Sequence, residues 1–447
     1  MPIPLVLVSA CRLRARLEQA DATTRTWVTK CGFCAAPGSH CLIAAADGSL
    51  AAVWVGVEAG ADLGSLAGLA QVLPPGRYAL QAGDEPLDAG LAALGFALGA
   101  YRFQRYRPAK REAAELELPD GVDGEALAAS IAAVALARDL INTPSQHLGP
   151  SELAQLCADL AALHGGEFRQ WQGEQLLAAN FPAIHAVGRA SDRAPRLLEL
   201  NWGNPAHPRL ALVGKGVCFD SGGLDLKTAE GMRNMKKDMG GAAVALALAG
   251  LILGSRLPVR LQLLIPAVDN AIAGNAYRPG EVITTRNGLS VEIDNTDAEG
   301  RVILGDALAY AAEASPDLII DLATLTGAAR IALGPELTPV FSNREDLGQA
   351  LLAAGRSVQD PVWPMPLWRP YREYLESSIA DLANSSASRH AGAITAALYL
   401  EHFVPAAIPW LHLDLYAWND RPKPGRPQGG EAQSLRALFA FLRERYA

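Results

Sequence analysis

The sequence contains little cysteine. Its 447 residues include only six cysteines, a density far below that of a disulfide-stabilised secreted domain, so we expect reduced thiols. Cys31, Cys34, His40 and Cys41 have the residue types of a zinc site, but the second pair lacks the separation that lets two ligand pairs converge tetrahedrally. We interpret these residues as small side chains at the edge of a strand and a loop.

Long apolar runs are also missing. Glycine, proline and charged residues interrupt every run before it reaches the roughly 20 residues of a membrane-spanning helix. Residues 1–10 are apolar, but Pro2 and Pro4 interrupt them and no Lys or Arg precedes them, so a first β-strand explains them better than a signal peptide. We therefore expect a cytoplasmic protein with no membrane partner.

Positive charge is not in excess. The chain has 39 Lys and Arg against 47 Asp and Glu, and its net charge of −8 works against nonspecific attraction to nucleic acid. Residues 101–111 interleave cations with aromatic residues, which leaves nucleic-acid binding open as an alternative. An acidic stretch at 112–125 follows at once and Pro108 marks a turn, so a solvated domain edge is the better interpretation and nucleic acid is not expected as a partner.

The remaining composition is that of a globular protein. Apolar residues make up 50% of the chain, and its length predicts two domains. Short apolar runs alternate with turn residues over residues 1–122, which predicts a small N-terminal α/β domain. Residues 125–140 have helical spacing and begin a larger domain, 123–447, in which β-rich runs alternate with Ala-rich helical runs. This α/β pattern predicts a central mixed sheet flanked by helices.

The second domain has distinct candidate elements. We predict strands at 209–213, 259–265, 289–293, 318–322 and 410–415, and helices at 240–253, 302–314 and 394–403.

Acidic and basic residues follow the predicted strands. Functional groups in such sheets gather beyond the carboxyl ends of the strands. The candidates there are Lys215, Asp220, Lys227, Asp238, Asp297, Glu299 and Arg301. Asp297 and Glu299 are two residues apart, so they face the same side if the segment is extended. Three Asp and one Glu suit two divalent ions about 3.5–4 Å apart with a bridging carboxylate, although acidic residues beside glycine are also common in surface turns.

The two lysines allow several roles. Lys215 lies in a Gly-Lys-Gly segment that does not match a Walker phosphate loop, because Gly216 follows the lysine. A lysine beside metal ions can be a neutral ligand, can stay charged and stabilise an oxyanion, or can be a salt-bridge partner only. Two ions can bind a free amino terminus, polarise the scissile carbonyl and generate a bound hydroxide, a route that needs neither Ser221 nor Cys218 as a nucleophile.

Residues 295–301 read Asn-Thr-Asp-Ala-Glu-Gly-Arg. This heptad resembles the signature of the leucyl aminopeptidase family, the M17 peptidases, and the resemblance runs from about residue 137 to the C-terminus. Other matching segments are 213–216 with 219–223 and Lys227, 236–242, 323–328 and 412–414, and residues 98–103 resemble the N-terminal domain of the family.

The resemblance implies a role for each candidate residue. One metal is held by Lys215, Asp220, Asp238 and Glu299, and the other by Asp220, Asp297 and Glu299. Lys227 and Arg301 are the catalytic groups, and Arg301 holds a bicarbonate that serves as general base. Met235 lines the pocket for the first side chain, and the loop with Thr324, Leu325 and Gly327 grips the substrate backbone.

The implied activity is metal-dependent removal of N-terminal, leucine-like residues from peptides through a two-metal-bound hydroxide. Zn²⁺ or Mn²⁺ is the implied metal, and a homohexamer is the implied assembly. An additional nucleic-acid-binding role and a different two-metal hydrolase, such as a phosphatase, are the alternatives. Three departures from the family pattern, Cys218, Asp225 and Tyr416, remove no predicted ligand but leave metal preference and rate open.

Overall fold

A computed structural model describes residues 1–58, 60, 62–81 and 86–447 of the chain. The chain forms two compact units. The first comprises Met1–Ala135 and Asn419–Gln428, and the second comprises Leu136–Trp418 and Gly429–Ala447. Residues 419–428 return to the first unit, which no pattern in the sequence indicated. The domain boundary after residue 122 stays a prediction.

The first unit is built on a five-stranded mixed sheet. Its elements are β1 (Ile3–Ser9), α1 (Leu13–Gln19), α2 (Ala22–Lys30), β2 (His40–Ala44), β3 (Leu50–Val57), α3 (Leu69–Val72), β4 (Arg77–Leu80), α4 (Ala89–Ala100) and β5 (Glu115–Leu116). The strand order is β2-β3-β1-β4-β5, with β1 parallel to both of its neighbours and β2 antiparallel to β3. Leu5, Val53 and Val55 are fully buried in this unit. The prediction of a small N-terminal α/β domain is confirmed.

The basic run at 101–111 has structural contacts inside this unit. Arg102 Nη1 donates a 2.9 Å hydrogen bond to the carbonyl of Arg111, and the Arg111 guanidinium donates to the carbonyl of Leu73. Both arginines therefore bind backbone of their own unit.

The second unit contains most of the chain. After α5 (Gly124–Asn142), which begins in the first unit, its elements are α6 (Pro150–His164), β6 (Glu167–Gln172), α7 (Gln175–Ala178), α8 (Pro182–Gly188), β7 (Arg196–Trp202), β8 (Arg209–Gly214), β9 (Gly216–Asp220), α9 (Ala229–Met232), α10 (Gly240–Gly254), β10 (Arg260–Asn270), β11 (Val282–Thr284), β12 (Ser290–Glu292), α11 (Glu299–Glu313), β13 (Leu318–Ala323), α12 (Gly327–Leu333), β14 (Thr338–Ser342), α13 (Glu345–Ser357), β15 (Val362–Pro364), β16 (Leu382–Ala383), α14 (Gly392–Glu401), β17 (Trp410–Asp414), β18 (Trp418–Asn419), β19 (Gly429–Gly430) and α15 (Leu435–Tyr446). Short 3₁₀ helices lie at Ser145–His147, Met235–Met239 and Arg369–Leu375.

A nine-stranded mixed sheet forms the centre of this unit. Its order is β15-β14-β17-β13-β8-β10-β7-β6, and β9 pairs with the second half of β10. The central strands β17, β13, β8 and β10 are parallel neighbours, so their carboxyl ends meet at one edge, whereas β14 and β7 run antiparallel. The predicted mixed sheet flanked by helices is confirmed.

The predicted elements of this unit occur, with one strand in a different sheet. The predicted strands correspond to β8, β10, β12, β13 and β17, and the predicted helices to α10, α11 and α14. However, β12 pairs with β11 and β16 in a separate three-stranded sheet. An apolar run identifies a strand but carries no information about the strand with which it pairs.

Helix α10 packs directly on the central sheet. A Cβ at Gly241 would lie 2.0 Å from the carbonyl oxygen of Leu322 in β13, so only glycine permits this approach. Within the part of the chain that the structure describes, Met235–Gly254 is the helical stretch long and apolar enough to cross a membrane, and most of it is buried inside the fold. Such burial is typical of a core helix.

Candidate metal centre and active site

Lys215 occupies a break in the sheet. It lies between β8 and β9, which pair with successive halves of β10. Its N–H donates to the carbonyl of Leu322, 2.9 Å away, and its own carbonyl accepts from the N–H of Ala242, also 2.9 Å away. These two backbone hydrogen bonds hold Lys215 between β13 and α10, where its side chain is 3% exposed.

The Lys215 ammonium faces two carboxylates. Its Nζ lies 2.8 Å from Asp238 Oδ2 and 2.8 Å from Glu299 Oε1, and it donates a 2.9 Å hydrogen bond to the carbonyl of Thr324. Burial lowers the pKa of Lys215, but Asp238, Glu299 and Asp220 raise it by more, so the net shift is upward.

Asp220 is the last residue of β9, and its two carboxylate oxygens have different partners. Its Oδ1 accepts hydrogen bonds from the N–H of Gly222 and from Nδ2 of Asn270, each at 2.8 Å. Its Oδ2 lies 2.8 Å from Nζ of Lys227, which also contacts Asp297. One oxygen is thus held by neutral donors, and the other faces the charged groups of the site.

Asp220, Asp297 and Glu299 form a compact cluster. Each offers an oxygen, and these oxygens all lie within 4.8 Å of one another. Asp297 lies in a turn and Glu299 is the first residue of α11, so the two residues do not lie on one extended segment. The two side chains converge because the chain turns between them and the helix begins.

Asn384 holds the backbone before this turn. Its Oδ1 accepts from the N–H groups of Asp294, at 2.9 Å, and Asn295, at 3.1 Å, and its Nδ2 donates to the carbonyl of Asn295 at 2.7 Å. The side chain of Asn295 then accepts from the N–H of Asp297 at 2.7 Å. This chain of hydrogen bonds fixes the position of Asp297.

The carboxylates of the cluster repel one another. Burial and the charge of Asp220 raise the pKa of Asp297 to about 6, although Lys227 opposes the shift. Burial and Asp220 also raise the pKa of Glu299 well above its ordinary value, against the effect of Lys215. Additional positive charge would therefore stabilise the ionised cluster.

The donor atoms of the site fit a divalent cation. The buried oxygens Asp238 Oδ2, Asp297 Oδ1 and Glu299 Oε1 accept no hydrogen bond within the described residues. Each lies beside a lysine ammonium, but in contact without hydrogen-bond geometry. Buried carboxylates that repel one another are stabilised by further positive charge, and hard oxygen donors suit ions such as Mn²⁺.

Arg301 lies in α11 close to the cluster. Its Nη1 donates a 3.0 Å hydrogen bond to the carbonyl of Asn384, and its Nε is buried without a hydrogen-bond partner in the described chain. Burial lowers its pKa, but the ordinary value is so high that the guanidinium keeps its charge. A buried cation with an unused donor is suited to binding an anion.

The loop after β13 is attached to the site. Thr324 Oγ1 donates to Asp238 Oδ1 at 2.8 Å. Asp414, the last residue of β17, accepts from the N–H groups of Leu325 at 3.0 Å and Thr326 at 3.1 Å, and from the Thr326 hydroxyl at 2.6 Å. Gly327 then begins α12. The conformation of this loop therefore depends on Asp238 and on Asp414 at the end of β17.

A cavity of about 310 Å³ opens beside these groups. Its lining includes most of the predicted site residues, namely Lys215, Asp220, Lys227, Met235, Asp238, Asp297, Glu299, Thr324, Leu325 and Gly327. Arg301 is not among the described residues that line it.

The cavity also has residues that the sequence analysis did not select. Lys237 and Arg330 line it, and Asn270 supports Asp220 from behind. Asn270 ends β10, so the rule of polar residues at strand ends could have identified it. Lys237 precedes Asp238 in sequence but had no pattern of its own.

The three departures from the family pattern have different surroundings. Burial raises the pKa of Cys218 well above its ordinary value, so the thiol stays protonated. Asp225 Oδ2 accepts a 2.7 Å hydrogen bond from the N–H of Thr296 and so supports the turn that carries Asp297. Tyr416 lines the cavity.

Comparisons with known proteins identify the family of the chain. The cytosol aminopeptidase family catalytic domain matches residues 135–439, and the M17 aminopeptidase N-terminal domain matches residues 3–119. A probable cytosol aminopeptidase of Syntrophotalea carbinolica is 42% identical over 379 residues, which cover 80% of this chain and 76% of the relative.

Two solved structures are also similar. A cytosol aminopeptidase from Coxiella burnetii is 49% identical, with a TM-score of 0.96 over 100% of this chain and 98% of that one. The bottromycin maturation enzyme BotP, solved in complex with Mn, is 34% identical, with a TM-score of 0.88 over 99% of both chains. The chain therefore belongs to the M17 cytosol aminopeptidase family and is a metal-dependent aminopeptidase, a hydrolase of the metallo-exopeptidase type.

Proposed function

We propose that this aminopeptidase uses two divalent metal ions to remove N-terminal residues from peptides. The observation that carries the proposal is the cluster of Asp220, Asp297 and Glu299, whose oxygens lie within 4.8 Å of one another, with Asp238 and Lys215 beside it. Lys215, Asp220, Asp238 and Glu299 would hold one ion, and Asp220, Asp297 and Glu299 the other. The Mn-bound relative makes Mn²⁺ a reasonable first choice and Zn²⁺ the second.

The chemistry divides between the ions and the protein. When bound, the two ions supply Lewis acidity for the scissile carbonyl and an activated water. Asp220 and Glu299 are the residues that would be shared by the two ions. The acidic cluster also attracts the free, positively charged amino terminus that distinguishes a substrate of an exopeptidase from an internal peptide segment.

Lys227 is proposed to stabilise the oxyanion. Burial lowers its pKa, but Asp220 and Asp297 raise the pKa by more, so Lys227 keeps its proton. Its ammonium lines the cavity beside the cluster and can donate a hydrogen bond to a carbonyl oxygen as negative charge develops there. Arg301 is proposed to hold a bicarbonate, which would supply a general base; the unused Nε of Arg301 supports anion binding at this position.

The cavity is proposed to accept the first residue of the peptide. Met235, Leu325 and Leu415 give it apolar surface, which suits a leucine-like side chain. Thr324, Leu325 and Gly327 lie on the loop that Asp414 and Asp238 hold in place, where backbone groups can bind the substrate backbone. The names of the relatives and the family resemblance support a cytoplasmic protein, and the resemblance supports a homohexamer, which light scattering would test.

Metal-dependent hydrolysis of Leu-Gly tests the proposal. The purified protein should release leucine, lose this activity after treatment with a chelator, and regain it with Mn²⁺ or Zn²⁺. Glu299→Ala should abolish turnover while circular dichroism shows an intact fold. Glu313→Ala is a matched control at the other end of α11, where the glutamate pairs with Arg286 at the surface. Activity that survives exhaustive metal removal would contradict the two-metal mechanism.

Two further assays separate the alternatives. Turnover of phosphate esters without turnover of peptides would favour a different two-metal hydrolase. Retardation of duplex DNA at physiological salt would support an additional nucleic-acid-binding role.

A further inference from the structure

Two cations that have no role in the proposed hydrolysis line the same cavity. They are Lys237 and Arg330, and both pack against the ring of Tyr416. Nζ of Lys237 lies 4.8 Å from the ring centroid, and Cζ of Arg330 lies 4.7 Å from it. Both distances are within the range of a cation–π contact, so one aromatic ring positions two positive charges on the cavity wall.

Lys237 is a buried lysine with an unused ammonium group. Its side chain is among the buried ones, with 7% of the residue exposed, yet no carboxylate or carbonyl of the described chain pairs with its Nζ. A buried charge without a partner costs free energy. The preceding residue, Lys236, does have a partner, because its Nζ donates a 2.6 Å hydrogen bond to the carbonyl of Asn142.

The carboxylates nearest to Lys237 are engaged elsewhere. Asp238 faces Lys215 and accepts from Thr324. Asp414 accepts from two N–H groups and a hydroxyl of the loop after β13. Arg330 likewise forms no ion pair with the described residues and lies exposed at the edge of the cavity. The protein itself therefore leaves two positive charges available to a ligand.

The cavity lining carries charges of both signs. Asp220, Asp297 and Glu299 form the acidic cluster, and Lys237 and Arg330 are cations that form no ion pair within the described residues. A peptide whose amino group binds the acidic cluster lies in the same cavity as these two cations. The ring of Tyr416 lines the cavity and contacts both cations, so it holds them at a defined place on the cavity wall.

We propose that Lys237 and Arg330, packed on Tyr416, bind a carboxylate of the substrate. This inference rests on the proposed function, because it assigns a preference to the same cavity. The carboxylate has two sources in a short peptide, namely an acidic side chain on the first residue or the free carboxyl terminus of a dipeptide. Either source places a negative charge beside the two cations.

Matched substrate pairs distinguish the two sources. Glu-Gly-amide against Gln-Gly-amide tests an acidic first side chain, and Leu-Gly against Leu-Gly-amide tests a free carboxyl terminus. In one of these pairs, kcat/KM for the charged substrate should be at least about tenfold higher than kcat/KM for its neutral counterpart. This is the size of effect expected for a charge-assisted contact. The pair that shows the difference identifies the source.

Variants connect this preference to the two cations. Lys237→Met and Arg330→Gln should each reduce the ratio of kcat/KM for the charged substrate to kcat/KM for the neutral substrate to below about threefold. Such a loss is consistent with the removal of one charge-assisted contact. Lys237→Arg should retain the ratio, since it keeps the charge, and Lys236→Met should also retain it, since Lys236 is a neighbouring lysine outside the cavity lining. Arg330 is exposed, so its replacement gives a folded protein even if the Lys237 variant is unstable.

Two outcomes would overturn the inference. One is a ratio near one for both substrate pairs in the unmodified enzyme, and the other is a ratio that Lys237→Met and Arg330→Gln leave unchanged. Hydrolysis of Leu-Gly-amide reports separately on the proposed function. If no peptide is hydrolysed, calorimetric binding of glutarate gives a readout without turnover, and equal affinity in the unmodified protein and Arg330→Gln rules out the carboxylate site as well.

Discussion

Nζ of Lys215 lies 2.8 Å from Oε1 of Glu299, and both side chains are almost completely buried. The residue after Glu299 makes this contact possible. A Cβ at Gly300 would lie 2.6 Å from Nζ of Lys215, closer than real side chains approach. Gly300 therefore leaves the space that the lysine occupies beside the carboxylate cluster.

Gly300→Ala should weaken the metal centre. The added methyl group must displace the Lys215 side chain, and we expect an apparent loss of metal affinity of about 10–100-fold, as is typical when groups around a metal site are disturbed. Titration of apoenzyme activity with Mn²⁺ measures this loss. Gly250→Ala is the matched control, because a Cβ there meets its nearest neighbour, in Leu160, only at 3.8 Å. Unchanged metal affinity in Gly300→Ala would contradict the role of Lys215 in the site.

Asp414→Asn should impair substrate binding by the loop after β13. The carboxylate accepts three hydrogen bonds from Leu325 and Thr326, and hydrogen bonds to a charged group contribute about 1.5–3 kcal/mol each. We expect kcat/KM for Leu-Gly to fall by about tenfold or more, mainly through KM. Asp381→Asn is the control, since Asp381 is exposed, binds Ser290 and does not line the cavity. A normal KM would show that the loop does not depend on Asp414.

The buried pair His412 and Asp321 should make stability depend on pH. His412 Nδ1 lies 2.6 Å from Asp321 Oδ1, and Trp410 donates to the other oxygen at 2.7 Å. Burial lowers the pKa of His412, but Asp321 raises it by more, so the net shift is upward. The folded protein then binds this proton more tightly than the unfolded chain does. The resulting stabilisation is complete below the unfolded pKa of about 6.5 and is lost as pH rises through the folded pKa.

Urea unfolding between pH 6 and 9 measures this effect. The free energy of unfolding should decrease with rising pH, and Asp321→Asn should remove most of the decrease. The variant should also lose about 3–5 kcal/mol at pH 6, because it removes one partner of a buried pair. A pH dependence identical in the two proteins would exclude His412 as its cause.

Arg138→Met should destabilise the second unit. Arg138 Nη2 lies 3.1 Å from Glu431 Oε1, and the two side chains are 1% and 7% exposed. Removing the arginine leaves a buried carboxylate, so we expect a loss of about 3–5 kcal/mol in the free energy of unfolding. Arg14→Met is the control, since the surface pair Arg14 and Glu18 contributes at most about 0.5 kcal/mol. Thermal or urea unfolding measures the loss of stability in each variant. An equal loss in the two variants would contradict the prediction that the buried ion pair contributes more than the surface pair.

Much of the candidate site followed from local sequence rules. Lys215, Asp220 and Asp414 stand at or just beyond strand ends, and parallel neighbouring strands bring such ends to one edge of the sheet. Local rules failed where pairing over long distances mattered. They placed β12 with the main strands, and the spacing of Asp297 and Glu299 did not reveal the turn and the helix start at these two residues.

The order of residues along the chain was sufficient to identify the family and the α/β fold and to predict most of the charged groups of the candidate site, because apolar periodicity and short motifs are local properties of the polypeptide. Distances between groups far apart in sequence depend on how the strands and helices pack. Packing therefore determined that Lys215 and Glu299 touch and that residues 419–428 join the first unit. It also determined that Lys237 and Arg330 meet on Tyr416 with no carboxylate partner among the residues that the structure describes, since burial and the pairing of charges exist only in the folded chain.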